Sequence, residues 1–385
     1  MELEPVFQSH VQDSFLCLAD DAAMTNPCVT ECTLKTMAQE HYGLCIVKVD
    51  ALPSYDDQNA LIEDEDGKRY VLKLSNATLS ERQIEFENKL MLAVHRAGIP
   101  TSTPYPLLAS RQESYIPKPG AAYLATVKDP DSQQTHILRL LKYCSGAVYA
   151  TAQSLHTNEM HEALGATLGR IQIALAEVQA IDVARREFLW DLKQFEGVQN
   201  FVHAVTDEEK RAFVDDSVAS FRDIVRPLFD RLPQQIVHND FNNFNVLLSE
   251  DAASGQGVAV SGVVDFGDAL ETFRVADVAI AIAYVMLDKS ESKAFECACA
   301  WFKGYSSRCP LNDEELTCLP HLIRARLVFS ATMSAYKQLL NPENEYVAAA
   351  EKPAWDALRG PLCGASRLNT LYEEFVRINA KSRKP

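Results

Sequence analysis

The sequence predicts an α+β protein of two lobes: a small strand-rich N-terminal lobe over residues 1–142 and a larger, mainly helical C-terminal lobe over residues 143–385. Three observations carry that prediction. At 385 residues the chain is too long for one core and suits two. The first 150 residues read as short β-patterned runs around a single helix, and after Tyr143 apolar residues recur at helical spacing. With 47% apolar and 23% charged residues, the composition is that of a folded globular protein rather than a disordered one.

Taken in order, Cys45–Val49 (CIVKV) is a strand, and Ala60–Ile62 begins another. The polar stretch EDEDGK carries a turn-forming Asp66-Gly67 and predicts a hairpin, with Tyr70–Leu74 (YVLKL) as the returning strand. Ser80–Ala97 reads as a helix: Ser80 can cap it, Ile84, Met91 and Val94 share one face, and Gly98 and Pro100 end it. Ala121–Val127 and His136–Leu141 are further strands. In the second half, Met160, Leu164, Leu168, Ile171, Leu175 and Val178 mark an amphipathic helix. Helices around Ala212–Phe229 and Pro320–Leu340 flank a strand-rich stretch, Ile236–Asp265. Val275–Leu287 is the most apolar segment, but it is too short to span a bilayer and reads as a buried helix.

The formal charge of −16 repels DNA, RNA and anionic lipid, so no nucleic-acid or membrane partner is expected. It suits a cationic small substrate, although most of these carboxylates do no more than keep the protein soluble. None of the ten cysteines forms a C-x-x-C pair or a zinc-spaced cluster, which points to free thiols in a reducing compartment. The opening MELEPVFQSH has neither the basic region nor the apolar run of a secretory signal, so a cytoplasmic location is expected.

The densest chemical signal is Val237-His238-Asn239-Asp240-Phe241-Asn242-Asn243-Phe244-Asn245, followed by Val246-Leu247-Leu248. An apolar residue precedes His-x-Asp, and an Asn stands five positions after the Asp, which is the spacing of a kinase catalytic loop. Phosphoryl transfer to a hydroxyl needs a carboxylate to receive the proton, here Asp240. It also needs oxygen ligands for a hard cation a few ångströms away, here Asn245 and Asp265. Asp265 opens Asp265-Phe266-Gly267-Asp268 directly after the strand-like Val258–Val264. A lone D-F-G means little, but both motifs in this order, separated by a turn and a strand, are specific. They predict a protein-kinase-like fold.

In the N-terminal lobe Lys73 lies within an apolar strand and is the candidate to neutralise nucleotide phosphates. A helix carboxylate is expected to pair with it. Glu87 shares the apolar face of Ile84, Met91 and Val94, where a charge needs a partner, so it is preferred over Glu85. There is no G-x-G-x-x-G and no Walker A motif. The polar turn Leu52–Asn59, with Ser54 and Tyr55, is the candidate phosphate cradle.

These residues resemble the aminoglycoside phosphotransferase and choline kinase superfamily, and within it the hydroxylysine kinase family. The stretches that carry the closer resemblance are Leu52–Asn59 (LPSYDDQN), Leu72–Asn76, Arg139–Tyr143, Arg186–Trp190, Gly262–Asp268 and Pro342–Asn344. The resemblance implies Mg²⁺ (or Mn²⁺) as cofactor, GTP as phosphate donor with ATP as the alternative, and the 5-hydroxyl of hydroxylysine as acceptor. It implies Asp240 as catalytic residue, Asn245 and Asp265 as metal ligands, and Lys73 as the phosphate lysine. Asp277 matches an acidic position that braces the catalytic loop. One departure stands out, Asn239 where the family usually has Gly. Asp268 and Glu271 are candidates to meet a substrate ammonium, and Arg139 or Arg186 to meet a substrate carboxylate. Two alternatives stay open: an ATP-dependent kinase of homoserine, choline or an aminoglycoside, and an inactive nucleotide-binding pseudokinase. Against the latter, no motif Lys or Asp is missing.

Overall fold

A computed structural model describes residues 27–54, 57–108, 122–251, 257–340, 345–360 and 362–383. They divide into two compact units, with the chain passing from one to the other between Ser145 and Gly146.

The N-terminal unit begins with a helix that the β-rich reading of this region overlooked. α1 (Glu31–Tyr42) starts where the Thr30 side chain accepts from the Thr33 N–H, and it stops at Gly43, whose φ of 66° is left-handed. β1 (Ile46–Leu52), β2 (Gln58–Asp64) and β3 (Arg69–Leu74) follow. The β2–β3 turn uses Gly67 at φ 75°, as the Asp-Gly pair predicts. α2 (Glu81–Arg96) carries a full capping box, Ser80 with Gln83. β4 (Leu124–Lys128) and β5 (Thr135–Lys142) complete an antiparallel sheet of order β1-β2-β3-β5-β4. One face of that sheet packs with Leu34, Met37 and Tyr42 of α1 into a core that includes Tyr70, Leu72, Leu74, Leu138 and Leu140.

In the C-terminal unit, the strands are short and serve the loops between them. β6 (Ala147–Val148) pairs with β8 (Val246–Asp251), and β8 pairs with β9 (Gly257–Val263). β7 (Gln234–Val237) pairs antiparallel with β10 (Leu270–Phe273). Around them run α3 (Asn158–Ala176), a 3-10 segment at Leu192–Ala204, α4 (Glu208–Ser220) and α5 (Arg274–Val285). α6 (Glu291–Ser306), α7 (Asp313–Leu340), α8 (Glu345–Arg359) and α9 (Gly364–Ser382) follow. α7 is longer than the apolar pattern suggests, because Pro320 lies inside it rather than at its start. The predicted helix around Ala212–Phe229 is broken in two: α4 ends at Ser220, and a π-type turn at Phe221–Val225 leads into a 3-10 turn containing Pro227. Among the described residues no helix is long and apolar enough to cross a membrane.

α3 and α6 touch backbone to backbone through two glycines. A Cβ on Gly165 would overlap the Trp301 carbonyl, and one on Gly304 would overlap the Glu162 carbonyl. Neither obstacle is a side chain that can swing away. Gly304→Ala should therefore lower unfolding stability by about 3 kcal/mol through forced overpacking. Gly360→Ala, whose Cβ would meet only ordinary contacts at 3.5 Å and beyond, should stay within about 0.5 kcal/mol of wild type. Urea denaturation of the two variants checks this, and equal midpoints would contradict the packing argument.

Candidate active site

The kinase-like loop leaves β7 at Val237 and runs to β8 at Val246. Its geometry is set from below by Asp277, which projects from the first turn of α5 and is fully buried. The Asp277 carboxylate accepts the His238 N–H at 3.2 Å and the Asn239 N–H at 2.9 Å. The Gln172 amide adds a longer contact at 3.4 Å. Burial pushes the Asp277 pKa up, and the two backbone donors oppose that rise. Asn239, buried and at φ 63°, turns the chain through the left-handed region. Glycine enters that region freely, and Asn is one of the few other residues that does. The substitution at this position therefore preserves the backbone shape.

His238 links the two motifs. Its Nε2 lies 3.1 Å from the Val264 carbonyl, and the Asp240 N–H lies 3.3 Å from its Nδ1. These bonds fit one tautomer, in which Nε2–H donates and Nδ1 accepts. Asp240 follows with its carboxylate held on both oxygens. Oδ2 accepts from the side-chain amides of Asn242 and Asn245, each at 2.8 Å, and Oδ1 lies 3.3 Å from Arg326 Nη2. Asn245 also donates to the Asp240 carbonyl at 3.0 Å. With its NH₂ spent on Asp240, its Oδ1 meets no hydrogen-bond donor among the described residues.

Asp265, solvent-exposed and at φ 63°, begins the second motif directly after β9 and Val264. Its Oδ1 accepts the Gly267 N–H at 3.3 Å. Asp268 stands half-buried nearby, and its pKa is pushed up to about 8, first by burial and then by the charges of Asp240 and Asp265. Burial raises Asp240 as well, against the pull of Arg326 and His238. The carboxylates of Asp240, Asp265 and Asp268 thus lie close enough to oppose one another's ionisation. Among the described residues no three His, Cys, Asp or Glu side chains form a metal cage. The amide oxygen of Asn245 and the carboxylate of Asp265 fit a hard cation that takes few protein ligands, as Mg²⁺ does beside phosphates.

Glu271 does not join this group. It lies on β10 and pairs with Arg185 at 2.5 Å. Arg186 is engaged by the backbone, donating to the carbonyls of Val183, Gly267 and Ala269 at 2.9–3.1 Å. Sequence reasoning missed Arg326, which reaches Asp240 from α7. Its signal was present: Arg326 falls on the apolar stripe Leu319, Ile323, Met333, where a charge has to have a purpose.

In the N-terminal unit, Lys73 lies on β3, as expected, and is buried there, but its expected partner is wrong. Glu87 is indeed on the buried face of α2, yet it pairs with Arg139 at 2.5 Å, and Arg139 Nη1 lies 3.5 Å from Asn88 Oδ1. Lys73 instead faces Asp57 at 3.6 Å. The register explains the exchange. Lys73 and Arg139 are directly opposite on β3 and β5, so both side chains leave the same face of the sheet. Glu87 is taken by the longer arginine, which presents a planar fork to the carboxylate. Asp57 also accepts the Asn76 N–H at 2.9 Å, and its own N–H donates to the exposed Ser54 hydroxyl at 3.2 Å. Tyr55 lies outside the described residues.

A double-mutant cycle separates the two pairings. Glu87→Ala should destabilise the fold by about 3–5 kcal/mol by stranding a buried guanidinium. Glu87 and Arg139 should couple by at least about 1 kcal/mol, and Glu87 and Lys73 by less than about 0.5 kcal/mol. The opposite order would restore the Glu87–Lys73 pair.

Comparison with known proteins follows the same lines. Residues 48–300 match the model of the phosphotransferase enzyme family, APH. The chain is 28% identical to the mouse hydroxylysine kinase, over 88% of this chain and 90% of that one. In structure it is similar to a microcompartment-associated aminopropanol kinase, with a TM-score of 0.63 at 16% identity, covering 90% of this chain and 100% of the other. It is also similar to an amicoumacin kinase in complex with AMP-PNP, Ca²⁺ and its ligand, with a TM-score of 0.61 at 17% identity over 92% and 94% of the two chains. The antiparallel N-terminal sheet, the helical remainder and the ordered pair of loops are those of a kinase fold, and the chain belongs to the phosphotransferase enzyme family, whose members phosphorylate a hydroxyl group.

Proposed function

We propose that the protein is a small-molecule kinase that transfers the γ-phosphate of GTP to the 5-hydroxyl of hydroxylysine, in the cytoplasm, in the breakdown of lysine and collagen. The observation that carries the phosphotransfer reading is Asp240 itself, a carboxylate held on both oxygens by Asn242, Asn245 and Arg326. The acceptor is supported by the similarity to hydroxylysine kinases, which runs over nine-tenths of the mouse protein's length.

In this reading Asp240 orients the acceptor hydroxyl and receives its proton. The hydroxyl oxygen forms a bond to the γ-phosphorus as the bond to the bridging β,γ oxygen breaks, and the nucleoside diphosphate leaves. Asn245 and Asp265 would hold Mg²⁺, which when bound neutralises phosphate charge. Lys73 contributes a further positive charge to the nucleotide phosphates, with Asp57 fixing its position and the Ser54–Tyr55 turn close to it in sequence. Asp268 receives a substrate ammonium, an interaction that draws its raised pKa back down. Glu87 supports the nucleotide side indirectly, by anchoring Arg139 next to Lys73.

Purified protein assayed with hydroxylysine, homoserine, choline and kanamycin, each with GTP and ATP, tests the proposal. Hydroxylysine with GTP should give the highest kcat/KM, and lysine, which lacks the hydroxyl, should give none. A higher value for choline or kanamycin would overturn the acceptor, and a higher value for ATP would overturn only the donor. Asp240→Asn should lower kcat by about 100-fold or more while the protein stays folded. Asp265→Ala should abolish transfer, and a chelator should do the same to wild type.

A further inference from the structure

α7 buries three charged residues, Glu315, Arg324 and Arg326, and two of them are plainly structural. Glu315 takes the Arg274 guanidinium on both oxygens, Nε and Nη2 each at 2.6 Å. Arg324 reaches Asp216 at 2.6 Å and lies over the Phe213 ring. Arg326, one turn-face away on the same helix, is built differently. Its side chain is 4% exposed, so it has given up nearly all its hydration. Its one carboxylate contact, to Asp240, is long at 3.3 Å. Among the described residues its Nε and Nη1 have no hydrogen-bond partner. A buried charge so poorly satisfied costs stability rather than adding to it. Fold stability therefore does not account for it.

Its surroundings hold it in place instead. The guanidinium lies 5.0 Å from the Trp190 ring and 5.3 Å from the Tyr284 ring. Nη2 also donates to the Tyr284 hydroxyl at 3.1 Å, and that hydroxyl is 3.4 Å from the Ser330 Oγ. The Trp190 ring and the tethered Tyr284 phenol thus clamp a planar cation, and the nitrogen they aim is the one that meets Asp240. Asp268 is the second carboxylate whose charge it feels.

We propose that Arg326 is a positioning residue of the phosphotransfer reaction: clamped by Trp190 and Tyr284, its guanidinium fixes the Asp240 carboxylate in the orientation that receives the acceptor hydroxyl. Asn242 and Asn245 hold Oδ2, and Arg326 holds Oδ1, so the carboxylate cannot rotate about its Cβ–Cγ bond without breaking a charged contact. The inference rests on the reading of Asp240 as the carboxylate that meets the acceptor. It does not depend on which acceptor that is.

The test uses the acceptor and nucleotide that wild type turns over fastest, with Asp240→Asn alongside. Arg326→Ala should lower kcat by about 100-fold, with both KM values within about threefold of wild type, because an orienting contact is lost and not a binding one. Methylguanidinium added to Arg326→Ala should restore kcat by about tenfold, and Arg326→Lys should fall between Ala and wild type. A kcat within about threefold of wild type, a loss confined to KM, or no recovery with methylguanidinium in a folded variant overturns the proposal. If Arg326→Ala does not fold, Tyr284→Phe decides: a kcat lowered about threefold to tenfold supports the clamp, and an unchanged kcat overturns it. Wild-type turnover in Asp240→Asn would overturn the Asp240 reading and this inference together. Loss in Asp240→Asn beside full activity in Arg326→Ala would overturn the inference alone.

Discussion

Two backbone N–H groups in succession, those of His238 and Asn239, point at one buried carboxylate, Asp277. Much of the C-terminal unit can be read as a consequence. A hydrogen bond to a charged acceptor contributes about 1.5–3 kcal/mol, and a non-glycine residue in the left-handed region costs of order 1–3 kcal/mol. Two such bonds outweigh the strain at Asn239, so the turn holds its shape without glycine. From that turn Asp240 is displayed with its N–H on His238 Nδ1, while the other side of the imidazole is tied to the Val264 carbonyl, the residue before Asp265. One buried carboxylate and one imidazole thereby place the two motifs in register, although they are 25 positions apart in sequence. The Asp277 carboxylate is itself presented by the first turn of α5, where the helix N-terminus favours negative charge.

The two units handle charge in opposite ways. In the N-terminal unit each buried cation has its own anion, Asp57 for Lys73 and Glu87 for Arg139, so two positive charges can sit side by side on neighbouring strands. At the candidate site of the C-terminal unit three carboxylates are gathered, and one arginine, Arg326, contacts one of them, Asp240. Burial first, and then their mutual repulsion, pushes up the pKa values of Asp240 and Asp268. Such an arrangement stores unfavourable electrostatics that a bound cation would relieve. A surface designed only for stability would not collect them.

What the sequence made legible was local. The α2 cap at Ser80, the Gly67 turn and the place of Lys73 in a strand each depend on neighbours within a few residues, and each was foreseen. The catalytic spacing was legible for the same reason, since Asp240 and Asn245 share one short loop. The partner of Lys73 was not, because it depends on the register that sets Arg139 opposite it on β5, a relation no short window contains. α1 was passed over because its apolar stripe is weak and its strongest signals are its ends, Thr30 and Gly43. Arg326 was hidden by distance, 86 positions from Asp240, although its place on an apolar stripe was visible. Glu271 was a reasonable candidate by sequence proximity to Asp265, but the β10 strand turns it toward Arg185.

A buried brace, rather than the loop's own preference, holds the Asp240 carboxylate in position. Asp277→Asn keeps the shape of the side chain but turns one acceptor into a donor facing a backbone N–H. Turnover number, measured together with the thermal midpoint of the same protein, tests the claim most directly. The account predicts that kcat falls by about 100-fold or more in a variant that is still folded at 25 °C. A folded Asp277→Asn protein with kcat within about threefold of wild type would contradict it.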